Sequence, residues 1–399
     1  MATDWKEIES QYYMHTFNRQ PIVIERGEGM RVWDVNGKEY LDMTSGLAVN
    51  NLGHSHPSVT NAITQQAAKL LQMSNLYYTV PQLELAEALV ENSCMDKVFF
   101  ANSGAEANEG AIKLARKYGR LHRGGAQNVI TTLSSFHGRT FGMIAATGQP
   151  AYQKAWLPLA PGFSNVPYDD LNAIQEETTD QTCAIMVEVL QGEGGVNVPT
   201  EGYLKGLREW CDEKNILLIF DEVQTGMGRL GHLWGYQHFG VEPDIMTLAK
   251  GLGNGVPIGA FLCKENCNVL EPGDHGSTFG GNVLATAAAN ATVRHMIEKN
   301  IPEHCSAMSS YLVEQLTQLK DNYNEDIVGV RGVGLLLALQ FTSPIAREVV
   351  SAANAQGVLL NPVLPDAIRF MPSLIINKSD IDECITKLES ALKSTLSGR

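Results

Sequence analysis

Between Lys97 and about Met296 the chain alternates between two patterns. Short apolar runs, bounded by small or polar residues, give way to longer helical stretches and then return. Strands are expected at Val98–Ala101, Asn128–Leu133, Ala184–Leu190, Ile216–Asp221, Ile245–Leu248 and Gly259–Cys263. Helical stretches such as Glu106–Tyr118, Gly202–Asn215 and Asn282–Asn300 intervene. Parallel strands must be joined by crossovers, and crossover helices cover both faces of the sheet they serve. The fold class that follows is α/β, with a mostly parallel central sheet.

One part of this span carries the most chemistry. Ile216-Leu217-Leu218-Ile219-Phe220 is an apolar run that closes on Asp221-Glu222-Val223-Gln224, and Ile245–Leu248 closes on Ala249-Lys250-Gly251-Leu252-Gly253. Ligands of open α/β sheets sit beyond the carboxyl ends of the strands. An acid and a lysine delivered to two such ends offer a fixed negative charge and an amine nucleophile. Pyridoxal phosphate wants both: a lysine to form a Schiff base and an acid beside its pyridinium nitrogen. A surface lysine is the competing reading of Lys250. A Walker-type acid pair is the competing reading of Asp221-Glu222, but that fold also needs G-x-x-x-x-G-K-[ST], which is missing here. Gly251, Gly253 and Gly255 have the wrong spacing for a dinucleotide fingerprint.

Other loops after strands are candidates of the same kind. Ser103, Gly104 and Ala105 open a helix, where free N–H groups and the positive dipole end suit a phosphate; an ordinary capped helix is the alternative. Phe136 could stack on a planar ring and Arg139 could hold a carboxylate, or they could be a core aromatic and a surface cation. Glu193 lies in the glycine loop Gln191–Gly195, as a gate or a surface acid. Arg369 sits inside the apolar run Ile368–Met371, a setting in which an arginine is more often paired than free.

Composition limits the partners. The formal net charge of -14 disfavours nucleic acid and anionic membrane, since both need basic surface. Seven cysteines with no C-x-x-C pair argue against a disulfide framework or a zinc ribbon and fit a reducing compartment. His54 and His56 have no third ligand at metal spacing, so no metal site is expected. There is no secretory pattern at Met1–Glu7 and no apolar run of membrane-spanning length, so a cytoplasmic protein is expected.

Outside the alternating span, residues 1–20 suggest an arm or short helix, and Asn36-Gly37 between Val32–Asp34 and Tyr40–Asp42 is a hairpin signal. Helices are expected from Pro57 to about Met73 and from Pro81 to Ser93. After Pro302 comes an α+β pattern: a helix from Ser306 to Lys320, a strand pair, and further short elements up to a last helix ending near Ser397. The expected organisation is an N-terminal arm and ribbon (1–50), a large domain (51–301) and a C-terminal segment (302–399). The two chain ends together would make a smaller α+β domain.

Taken in order, these stretches resemble the class III pyridoxal-phosphate-dependent aminotransferases of fold type I. The resemblance runs from Val32–Asp42 through Ser74-Asn75-Leu76-Tyr77-Tyr78, Ser103–Asn108, Phe136–Arg139, Asp221–Gly226, Lys250 and Ser277–Asn282 to Arg369. It implies pyridoxal 5'-phosphate as cofactor and Lys250 as the Schiff-base lysine. Asp221 is then the partner of the ring nitrogen, Val223 and Phe136 the two ring faces, and Gln224 the ring-hydroxyl partner. Ser103, Gly104 and Ala105 would hold the phosphate, with Thr278 reaching the neighbouring subunit's phosphate in a homodimer. Arg139 and Ser277 would contact substrate.

The same resemblance implies a gate. Glu193 pairs with Arg369 while an N-acetylornithine donor reacts, and Arg369 is released to grip the carboxylate of glutamate. The implied reaction moves the δ-amino group of N2-acetyl-L-ornithine to 2-oxoglutarate, as in arginine biosynthesis. Leu47, aligned with a tyrosine of ornithine-specific members, suggests an apolar wall suited to a blocked α-amino group. The alternatives are another ω-aminotransferase of the class, acting on 4-aminobutyrate, succinylornithine, ornithine or lysine, and a non-catalytic protein that binds the cofactor.

Overall fold

The computed structural model describes residues 4–398. Its largest sheet has seven strands, in the order Lys97–Ala101, Gly259–Cys263, Ile245–Leu248, Leu217–Asp221, Thr182–Val187, Asn128–Thr132 and Phe163–Val166. Six run in one direction. Gly259–Cys263 runs against both of its neighbours. All six expected strands are present, with ends shifted by a few residues. Phe163–Val166 is a seventh, unexpected one: it is short, half polar and partly exposed at the sheet edge, so its residues carry no apolar run to read.

The central strands are buried throughout, as expected of strands covered on both faces. Their register is fixed where it matters: Asp221 lies opposite Thr247, so the next turn of the neighbouring strand reaches Lys250.

The helix Gly104–His122 packs across the sheet through Ala107, Ala111, Leu114 and Ala115, an apolar stripe at helical spacing. Its close approach depends on Gly119. A Cβ there would lie 2.2 Å from the Ala126 carbonyl oxygen and 2.7 Å from Cys183 Cβ.

Two four-stranded sheets flank this body. One contains the expected hairpin, Arg31–Asp34 and Glu39–Asp42, turned at Gly37 with φ 80. Val358–Leu359, from far along the chain, joins it in parallel to Glu39–Asp42. The other holds Ile327–Val333, Leu336–Phe341, Ala367–Phe370 and Asn361–Leu364, in that order. Arg369 is in its third strand.

Two helices differ from expectation. The helix Ile301–Asn322 begins before the expected Ser306, because Pro302 lies in its first turn, where a missing N–H costs no intrahelical bond. The helix from Pro57 stops at Ala67, leaving Leu70, Leu71 and Met73 exposed beyond it. All seven cysteines are free. Among the described residues no helix is long and apolar enough to cross a membrane.

Candidate active site

The carboxyl ends of five parallel strands surround a cavity of about 420 Å³. The antiparallel strand contributes as well, since its start, rather than its end, lies on this side, and Val256, Pro257 and Ile258 join the wall. The cavity is lined by Ser103, Gly104, Ala105, Phe136, Arg139, Glu193, Asp221, Val223, Gln224 and Lys250 among others.

Lys250 is half-buried in the cavity wall and has φ 40, a left-handed conformation that costs a residue with a Cβ. Burial pushes its pKa below the usual lysine range and outweighs the opposing pull of Glu193 and Asp221. A lowered pKa favours the free amine, the nucleophilic form.

Asp221 is held from three sides. Its Oδ2 accepts from Asn108 Nδ2 at 2.8 Å and faces His137 Nδ1 at 2.8 Å, and its Oδ1 accepts from the Val223 backbone N–H at 3.0 Å. These contacts fix the plane of a buried carboxylate whose charge faces the cavity. Asn108 and His137 lie inside motifs legible in the sequence, yet sequence reasoning assigns neither a role. A signal for Asn108 exists: it lies four residues after Gly104, so both point from one face of the same helix.

Opposite this acid lies the ion pair. Arg369 is fully buried, and its guanidinium is divided among three acceptors: Glu193 Oε1 at 2.9 Å, Asn361 Oδ1 at 3.1 Å and Gln224 Oε1 at 3.3 Å. Burial would raise the Glu193 carboxyl. The Arg369 and Lys250 cations overcome that and leave it below the usual range. Arg139 is exposed at the cavity, its guanidinium 3.8 Å above the Tyr152 ring and 5.4 Å from that of Phe136. It forms no salt bridge with a described residue.

Pyridoxal phosphate suits this donor set. Gln224 Nε2 is buried with no well-formed hydrogen bond, although the Gln224 amide lies close enough to Glu193 to help hold its charge, so a donor is left over for a bound group. Val223 Cγ1 lies 3.0 Å from where a Cβ on Gly104 would be, so the absent side chain leaves backbone exposed beside the cavity. Gly104 and Ala105 begin a 19-residue helix capped by Ser103, whose Oγ accepts from Glu106 N–H at 3.2 Å. The first free N–H groups of that helix therefore lie at the wall of the same cavity as Asp221 and Lys250.

Ser277 and Thr278 are not in the wall of this chain's cavity. They sit on a partly exposed loop, residues 276–281, pinned by side chains around it. Asn102 Nδ2 donates to Ser277 Oγ at 3.1 Å, Asn75 Nδ2 to the Ser277 carbonyl at 3.1 Å, and Gln72 to the Thr278 carbonyl. Leu47 does not line the cavity either and is 45% exposed. It belongs to a left-handed turn in which Ser45, Gly46, Leu47 and Ala48 all have positive φ. That turn displaces the register of the segment, and Val49 supplies the apolar wall in its place.

The profile described as aminotransferase class-III matches residues 12–392. The chain is a class III aminotransferase. This class III aminotransferase is 50% identical over 385 residues to the acetylornithine aminotransferase of Caldanaerobacter subterraneus subsp. tengcongensis, covering 96% of this chain and 98% of the relative. Its fold is that of the ornithine aminotransferase from Toxoplasma gondii ME49, with a TM-score of 0.95 and 34% identity over 100% of this chain and 97% of that one. A second structure of the Toxoplasma gondii ornithine aminotransferase has a TM-score of 0.93 and 34% identity, over 99% of this chain and 95% of that one. It was crystallised with oxidised glutathione and has PLP in partial occupancy at its active site.

Proposed function

We propose that the enzyme binds pyridoxal 5'-phosphate in this cavity. It moves the δ-amino group of N2-acetyl-L-ornithine to 2-oxoglutarate, giving N-acetyl-L-glutamate 5-semialdehyde and L-glutamate. The observation that carries the reading is the closed Glu193–Arg369 pair in the cavity that holds Lys250. N-acetylornithine presents a reacting carbon with no carboxylate beside it, and a neutral ion pair is a suitable wall for it. Glutamate presents a carboxylate at that place, and Arg369 freed from Glu193 can take it bidentately. One cavity thus accepts two unlike substrates by moving one charge.

The cofactor, when bound, supplies an electron sink for the bonds of the amine-bearing carbon. The protein's own groups do the rest. Lys250 provides the attaching amine and carries protons to and from the reacting carbon. Asp221, fixed by Asn108 and His137, holds a proton at the ring nitrogen. Gln224 Nε2 donates to the ring oxygen, Val223 and Phe136 confine the ring, and Gly104 and Ala105 hold the phosphate with Ser103 at the cap. Arg139 takes the carboxylate far from the reacting carbon.

A homodimer belongs to the same proposal. Leu71, Leu76, Tyr77, Tyr78, Val80 and Phe279 are all exposed, and the last adjoins Ser277 and Thr278. A second copy would cover this apolar surface and receive that loop at its own cavity. The division into 1–50, 51–301 and 302–399 is likewise proposed, with the chain ends combining into the smaller unit. A cytoplasmic location fits free thiols throughout.

The test is a set of half-reactions. Holoenzyme is mixed separately with N-acetylornithine, ornithine and 4-aminobutyrate, and the visible absorbance of the bound cofactor is followed. Rapid loss with N-acetylornithine alone is expected. Rapid loss with free ornithine, the donor named for the structural neighbours, would keep the site and change the substrate.

A further inference from the structure

The mechanism above leaves one buried carboxylate of the cavity wall unused. Glu188 follows the strand Thr182–Val187, is 5% exposed and lines the cavity. Its two oxygens are engaged separately. Oε1 accepts from the Phe136 backbone N–H at 2.9 Å, and Oε2 accepts from the Gly192 backbone N–H at 3.0 Å. Those donors stand on different loops: Phe136 begins the one that carries Arg139, and Gly192 immediately precedes Glu193.

Gly192 in turn cannot move without consequence. A Cβ at that position would lie 1.6 Å from Gln224 Oε1, so the backbone of Gly192 and the Gln224 side chain are in direct contact. Gln224 Oε1 is the atom that accepts from Arg369 Nη1. The chain of contacts is therefore closed: Glu188 holds Gly192, Gly192 abuts Gln224, and Gln224 and Glu193 both hold Arg369.

We propose that Glu188 is a positioning residue for substrate choice, tying the Phe136–Arg139 loop to the Gly192–Glu193 loop and so keeping the Glu193–Arg369 pair closed for the donor substrate. The inference rests on the aminotransferase reading of this site. A carboxylate can accept from both N–H groups at once. A carboxylic acid or an amide has one good acceptor and turns a donor toward the other N–H, which releases one loop. Burial and the nearby Asp221 charge lift the Glu188 carboxyl to about 7, against the lowering effect of His137. The other ionisable groups that face it are Tyr168 and Lys250. The tie is complete above that pH and is lost as pH falls through it.

The experiment uses holoenzyme of the wild type, Glu188→Gln and Glu188→Asp. Single-turnover half-reactions with N-acetylornithine and with glutamate are followed from pH 6 to 8.5, and the ratio of their kcat/KM values is recorded. In the wild type the ratio should fall as pH drops below about 7. In Glu188→Gln it should be about tenfold lower at pH 8, the scale of one lost charge-assisted hydrogen bond, and nearly independent of pH. Glu188→Asp should restore the pH dependence in part. The visible circular dichroism of the bound cofactor, which needs no turnover, should shift across pH 7 in the wild type and not in Glu188→Gln. Equal losses in both half-reactions, or a variant ratio that follows the wild type, would overturn the proposal. If Glu188→Gln does not fold, a flat wild-type ratio overturns it alone. If the wild type ignores N-acetylornithine, the substrate assignment fails separately, and the gate is read with whichever ω-amine reacts against glutamate.

Discussion

Single residues carry the chemistry, and their neighbours decide whether they can. Lys250→Ala should eliminate the absorption band of lysine-linked cofactor, and a retained band would remove Lys250 from its role. Asp221→Ala should keep cofactor in the cavity but slow both half-reactions by about 10²–10³-fold, the cost of losing one fixed charge partner in a water-poor site. Because Asn108 and His137 only orient that acid, Asn108→Ala should slow turnover less. Arg139→Ala should raise KM for both substrates by roughly tenfold to a hundredfold, since each presents a distal carboxylate. A loss confined to one substrate would reassign the arginine.

How far such residues are legible in the sequence depends on their surroundings. Asp221 and Lys250 stand out because each ends an apolar run, where a charge is rarely placed for solubility alone. Arg369 stands out because it sits inside an apolar run, where an unpaired charge would be costly. Glu188 lies inside the expected strand Ala184–Leu190 and carries a similar signal, but its two N–H partners stand on loops that no local pattern connects to it. Leu47 misleads because four successive positive φ values leave no trace in side-chain spacing.

At the scale of elements, two contacts can be tested by stability. Gly119→Ala should destabilise the protein by about 1–3 kcal/mol in urea unfolding, because the helix Gly104–His122 must lift off the Ala126 carbonyl to admit the methyl group. Glu222 supports a different element. Fully buried, it accepts from the Gly235 and Tyr236 N–H groups at 2.5 and 2.7 Å, at the start of the short helix Gly235–Phe239. Burial lifts its carboxyl from 4.5 to about 7. Between those values the folded protein keeps a proton that the unfolded chain has released, so this group's contribution to stability falls as pH rises from 4.5 to 7. Glu222→Gln, uncharged at every pH, should remove that fall. The difference between wild type and variant should change by up to about 1.4 kcal/mol per pH unit across this window. Parallel pH profiles would show that Glu222 is not titrating there.

Taken whole, the molecule draws its active site from nearly its full length, from Val49 to Arg369. The strand order shows why the fold is easier to anticipate than the edges of the site: alternation announces a parallel sheet, but nothing local announces which distant loops meet above it. Sedimentation at working concentration should give a dimer, and Tyr78→Asp together with Leu76→Asp should shift it toward monomer with loss of activity. A fully active monomer would leave the partly exposed loop at residues 276–281 without a purpose.

The main sheet is complete once Cys263 is in place, and it then already carries the acid and the amine. The strand that presents Arg369 comes from a separate sheet near the end of the chain. During synthesis, therefore, the lysine proposed to react leaves the ribosome well before the arginine proposed to select among its substrates. A chain stopped short of Ala367 would lack both the arginine that faces Glu193 and the C-terminal part of the core into which that strand packs.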